Sequence, residues 1–253
     1  MPHCKARISP RYALVELITG GFFALSCYVA FYYPLVFPNP IPSAAKLCVF
    51  SFLLIGLIFT DAETQLLPDL LTLPGLVLGI AFSFFAPVEI CPDLARSSGP
   101  VGAMLAEHLD WRILSFANSV TGAVFGVAFM WGVALLYRRV RGREGMGMGD
   151  VKLMGMIGGF LGIELTLLVV MLASVIGSLF GITLMLLVFR KRLARKQKQS
   201  MEPALARLRA WRSATLIFQH FQIPFGVFLG AAALVAAFAG TPLMRWYLDL
   251  CQR

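Results

Sequence analysis

Apolar runs close to bilayer length recur from one end of this chain to the other, and no other feature limits its fold as strongly. Seven can be marked, at about 13–36, 44–60, 70–88, 113–137, 151–163, 166–189 and 221–243. A crossing helix needs about 20 apolar residues, with a range of about 17–25. Five segments meet that length, and 44–60 is at the short limit. The run 151–163 is short and carries Gly155, Gly158, Gly159 and Gly162. It is either a short helix against close neighbours or part of a longer bent one. Inside lipid the backbone must satisfy its own hydrogen bonds, so these runs are helices. Composition agrees: 58% of residues are apolar and only 14% charged, against about 25% charged in soluble domains. A water-soluble globular enzyme, a disordered chain and a coiled coil are excluded. The expected fold is all-α, a polytopic membrane helix bundle of about seven transmembrane helices, forming one membrane-embedded domain over 1–253.

The formal charge is +9, but it falls in short blocks between apolar runs, the pattern of membrane loops and not of a nucleic-acid surface. With seven crossings, 17 of the 22 Lys and Arg residues fall on one side, in 1–12, 138–152 and 190–212. The positive-inside rule makes that side cytoplasmic and places the N-terminus there. The long connections are then 89–112, periplasmic, and 189–220, a basic cytoplasmic loop or surface helix. The first apolar stretch is too long for the core of a cleaved signal peptide and reads as a retained span. The five cysteines (Cys4, Cys27, Cys48, Cys91, Cys251) show neither a disulfide framework nor a complete metal site.

With only 13 acidic residues, those near apolar spans carry information, because an ionisable group at membrane depth is expensive. Asp61 directly follows the run 49–60, and Asp150 closes Gly145-Met-Gly-Met-Gly-Asp150. Both fall at the cytoplasmic mouths of their spans, 89 residues apart in sequence. Two facing carboxylates that share one proton are the minimum equipment of an aspartic protease: one takes a proton from water, the other polarises the scissile carbonyl. Gly147 and Gly149 would let an extended peptide pair with exposed backbone before Asp150. Plainer readings stand beside these. Asp69 and Asp150 suit N-caps, Glu164 suits an outer turn, Gly155-x-x-Gly158 suits close helix packing, Lys152 suits an interface anchor, and Glu16 suits contact with a cationic substrate or with Arg11.

In order along the chain, Ile8-Ser-Pro-Arg-Tyr-Ala-Leu-Val-Glu16-Leu17, Asp61-Ala-Glu-Thr-Gln-Leu-Leu-Pro-Asp69, Gly147-Met-Gly-Asp150-Val-Lys152-Leu153 and Ile223-Pro-Phe-Gly-Val-Phe-Leu229 resemble the prepilin leader peptidases of type IV pilus and type II secretion systems. These are intramembrane aspartic proteases with a Gly-x-Gly-Asp motif. The resemblance covers essentially the whole chain and implies Asp61 and Asp150 as the catalytic pair. Gly147, Gly149, Glu16 and Lys152 are then candidates for substrate binding. The implied substrates are prepilins or pseudopilins with a basic leader before an apolar helix. Cleavage would fall at the cytoplasmic face of the bacterial inner membrane, after a glycine and often before phenylalanine. Proteolysis needs no cofactor. Many members also methylate the new N-terminus with S-adenosylmethionine.

The front of the chain departs from the family pattern, which adds an upstream span and two Cys-x-x-Cys pairs able to bind zinc. Only Cys4 corresponds, and one cysteine cannot build a four-ligand zinc site. No metal site is therefore expected here, and methyl transfer is in question. The rival reading from another class is a non-catalytic assembly or scaffold protein of a pilus or secretion system. A proton-coupled transporter is the third, but it would place its acids nearer the midplane and show internal repeats.

Overall fold

A computed structural model describes residues 10–33, 39–86, 110–142, 147–197 and 225–251. Most of the 89–112 connection, the 198–220 part of the basic connection and Cys4 lie outside the described residues. Within them every regular element is a helix: α1 (Pro10–Tyr32), α2 (Pro40–Thr64), α3 (Asp69–Phe82), α4 (Trp111–Arg141), α5 (Met148–Gln197) and α6 (Phe225–Cys251). Five are long and apolar enough to cross a membrane, and α3 is a shorter apolar helix. The chain is a polytopic membrane helix protein. Its perimeter is apolar, with Leu17, Leu70, Val77, Val124 and Leu179 all exposed, as helices facing hydrocarbon require.

The fifth and sixth apolar runs are one helix broken at a single residue. Gly162 has φ 78° and ψ 177°, a conformation open essentially to glycine alone. On one side of the break, α4 runs antiparallel to residues 148–161: Gly126 abuts Met154 and Gly122 abuts Gly158 and Gly162. Beyond it, Leu165 lies against Gly240 and Gly177 against Phe228. The second half therefore runs back along α6, and the two halves form a hairpin. The break strands backbone groups, and side chains recover them. Asn118 Oδ1 accepts the Ile163 N–H at 3.2 Å, and Ser119 Oγ donates to the Gly159 carbonyl at 2.6 Å. Small residues let these backbones approach, which is how helices associate where no hydrophobic drive separates protein from lipid.

Two boundaries differ from the sequence expectation. The run 70–88 contains a helix only to Phe82. At about 1.5 Å per residue, its 14 residues fall short of a full crossing. Hydroxyls bond at its end: Ser83 Oγ donates to the Ile80 carbonyl at 2.6 Å, and Ser115 Oγ to the Ser83 carbonyl at 2.8 Å. At the other extreme, α5 continues to Gln197, so the first residues of the expected 189–220 loop or surface helix are continuous with the span before them.

The core joins α2, the first half of α5 and α6. Phe50 stacks on Phe160 with ring centroids 4.7 Å apart, between Leu54, Leu57, Met156, Ile157, Leu229 and Ala233, all buried. Contacts fix the helix directions. Gly75 abuts Met156 and Gly79 abuts Phe160, so α3 runs parallel to the first half of α5. Gly230 abuts Ile58 and Gly226 abuts Asp61, so α6 runs antiparallel to α2. The N-termini of α3, α5 and α6 and the C-terminus of α2 thus gather at one end of the bundle.

Candidate active site

That end holds the two aspartates. Asp61 lies in the last turn of α2 and is 5% exposed. The helix stops after it because Gln65 adopts a left-handed conformation, φ 54°, and returns its N–H to the Asp61 carbonyl at 2.9 Å. Gln65 is the only non-glycine with positive φ among the described residues. Such a conformation costs a non-glycine residue about 1–2 kcal/mol, and it steers Leu66-Leu67-Pro68 across the site into α3.

Asp61 is held from the far end of the sequence. Its Oδ2 accepts the Val227 N–H at 3.0 Å, and the neighbouring Gly226 N–H lies near the same carboxyl. These are first-turn amides of α6, donors that no intrahelical carbonyl can use. A side chain on Gly226 would collide: its Cβ would lie 2.8 Å from Asp61 Oδ2 and 3.3 Å from Leu67 Cδ1. Glycine is required there by close approach, not by backbone conformation.

Asp150 is half-buried in the first turn of α5 and lies within electrostatic reach of Asp61. Residues 89 positions apart in sequence are thus brought together at one depth. Like charges within reach of each other repel. The positive ends of three helix dipoles, at Asp69, Met148 and Phe225, gather at the same end, which offsets that repulsion. Leu67 is wedged between the starts of α5 and α6. Besides facing Gly226, its Cβ lies where a Cβ on Gly149 would come within 2.9 Å.

The remaining candidates are placed as follows. The extended edge expected at Gly147–Asp150 is not formed, because α5 begins at Met148. Gly149 is helical and makes room for Leu67, while Gly147 borders open space. The N-cap readings shift for the same reason: Asp69 is the first residue of α3 after Pro68, and Asp150 lies inside the first turn of α5. Lys152 Nζ donates to both carboxylate oxygens of Asp69 at 2.7 Å. Glu16 is exposed on α1, whose Arg11 forms an exposed ion pair with Glu63 at 3.1 Å. Glu164 falls just after the Gly162 break, in the turn expected for it. Among the described residues no group of three or more His, Cys, Asp or Glu could hold a metal ion. Sequence reasoning missed the Gly226 and Val227 amides and the wedge of Leu67. The available signal was glycine at the start of the last apolar run, immediately after Pro224-Phe225.

Residues 48–182, which contain both aspartates, match the model of the type IV leader peptidase family. The chain belongs to that family. A relative from Pseudomonas aeruginosa named prepilin leader peptidase/N-methyltransferase is 31% identical over 246 residues, covering 97% of this chain and 64% of the relative. A relative of the same name from Dichelobacter nodosus is 39% identical over 159 residues, 63% of this chain and 44% of its own. One from Klebsiella pneumoniae is 34% identical over 171 residues, 68% of this chain and 60% of its own. The chain thus spans less than two thirds of the length of these relatives. No solved structure matches it.

Proposed function

We propose that this chain is an intramembrane aspartic endopeptidase that removes the basic leader from type IV prepilins or type II secretion pseudopilins. The observation that carries the proposal is the meeting of Asp61 and Asp150 at one end of the bundle, Asp61 anchored by the α6 amides. In this mechanism the pair holds one proton. The ionised carboxylate takes a proton from water, the hydroxide attacks the scissile carbonyl, and the protonated partner donates to that oxygen. Collapse of the tetrahedral intermediate returns a proton to the leaving amine. The Val227 amide holds Oδ2 of Asp61; in this reading the other oxygen takes part in the proton transfer.

The charge distribution supports cleavage at the cytoplasmic face of a bacterial inner membrane, since the acid end is also where α4 finishes in Arg138, Arg139 and Arg141. The substrate's apolar helix would lie in lipid beside the bundle and its basic leader outside. The relatives' names add methylation of the freed amine, for which S-adenosylmethionine would supply the methyl group. No residue described around the acid pair is assigned to that step.

The test is incubation of membranes carrying the chain with a substrate built of a basic leader, a glycine and an apolar helix, followed by mass spectrometry of the products. Cleavage at the junction after glycine supports the proposal. An intact substrate beside a properly inserted chain favours the scaffold reading.

A further inference from the structure

Lys152 and Asp69 lie outside the chemistry just described, yet they make the tightest side-chain ion pair among the described residues. The ammonium sits 2.7 Å from each carboxylate oxygen, joining residues 83 positions apart. Asp69 is the first residue of α3, and Lys152 follows Asp150 by two on α5. Residues two apart on a helix do not face each other. Lys152 therefore reaches α3 while Asp150 belongs to the side facing Asp61. The pair closes the open end of the α3–α5 seam, whose deeper part is held by Gly75 on Met156 and Gly79 on Gly159 and Phe160. Just outside it, Leu67 is wedged between Gly149 and Gly226.

We infer that the Lys152–Asp69 pair is a positioning device that fixes the start of α5, and with it Asp150, against Leu67 and Asp61. This rests on the proposed peptidase activity. The pair's side chains are 33% and 58% exposed. Ion pairs of that kind contribute little to stability, so its removal spares the fold while loosening the register of the acid pair. Small misplacements of reacting groups cost up to about 100-fold in rate. Both residues act through others, so the defect belongs in kcat. A lysine that bound the substrate leader would instead act on KM.

The test compares the full chain with Lys152→Met, Asp69→Asn, Lys152→Arg and the exchange Asp69→Lys/Lys152→Asp, all in membranes. Cleavage kinetics are read on the prepilin-like substrate. A second readout is independent of activity: spin labels at Leu70 and Met148, both exposed, with the five native cysteines replaced by serine. Lys152→Met and Asp69→Asn are expected to lower kcat about 10-fold or more with KM nearly unchanged, and to broaden the label distance distribution. Lys152→Arg and the exchange should restore both within a few-fold. Wild-type kcat in the single variants, a defect confined to KM, or a distance distribution indifferent to the pair would each overturn the inference. If the parent chain cuts nothing while the distribution responds, the positioning role stands and the peptidase reading fails.

Discussion

Gly226→Ala tests the link between α6 and Asp61 most sharply. The new Cβ would lie 2.8 Å from Asp61 Oδ2 and 3.1 Å from its Cγ. That is about 0.6 Å inside ordinary van der Waals contact with the oxygen. The neighbours cannot yield easily, because Asp61 is fixed on α2 and Leu67 blocks the other side at 3.3 Å. Relief by withdrawing the carboxyl takes the Val227 N–H bond from 3.0 Å to beyond about 3.5 Å, where it ceases to be a hydrogen bond. A bond to a charged group contributes about 1.5–3 kcal/mol. If that fixing is used in the transition state, kcat falls by about 10- to 100-fold. The assay is cleavage kinetics in detergent or membranes, with Gly230→Ala as control. At position 230 the Cβ meets Ile58 at 2.6 Å and the Leu54 carbonyl at 4.0 Å, so packing suffers one turn deeper without a contact to the Asp61 carboxyl. A Gly226→Ala enzyme with wild-type kcat would refute the reasoning, as would equal kcat losses in both variants.

Other outcomes follow from the same packing. Gly149→Ala should push Leu67, 2.9 Å from the new Cβ, toward Gly226 and lower kcat about 10-fold in the same cleavage assay. Gly162→Ala places a side chain at φ 78° and should destabilise the hairpin by about 1–3 kcal/mol, read as a lowered midpoint in detergent melting. Ser119→Ala removes the buried donor to the Gly159 carbonyl and should cost about 1–3 kcal/mol in that melt, with kcat unchanged because the bond lies at the opposite end of the bundle.

What the sequence discloses follows from how far apart the participants lie. The spans were legible because bilayer thickness acts on each run separately, and the glycines of 151–163 already allowed a short or bent helix. The stop at Phe82 was not legible, since apolar residues continue past it and the helix ends in tightened backbone turns over 83–85 with hydroxyl bonds from Ser83 and Ser115. Asp61 and Asp150 stood out as acids at span mouths. What fixes them did not, because the Val227 bond to Asp61 crosses 166 positions and Lys152 finds Asp69 across 83. Gly149 was noticed for its flexibility, whereas in the fold it is helical and makes room for Leu67.

Cleavage by Asp61→Asn and Asp150→Asn chains, measured beside the parent on a prepilin-like substrate, tests the central claim most directly. Asparagine keeps the shape of each side chain but cannot share a proton as a carboxyl does. The account predicts that the parent cuts after the leader glycine and that both variants, inserted to the same level, lose activity by at least about 1,000-fold, the loss expected when a member of a catalytic unit is removed. Cleavage by either variant at a rate near the parent's would contradict it.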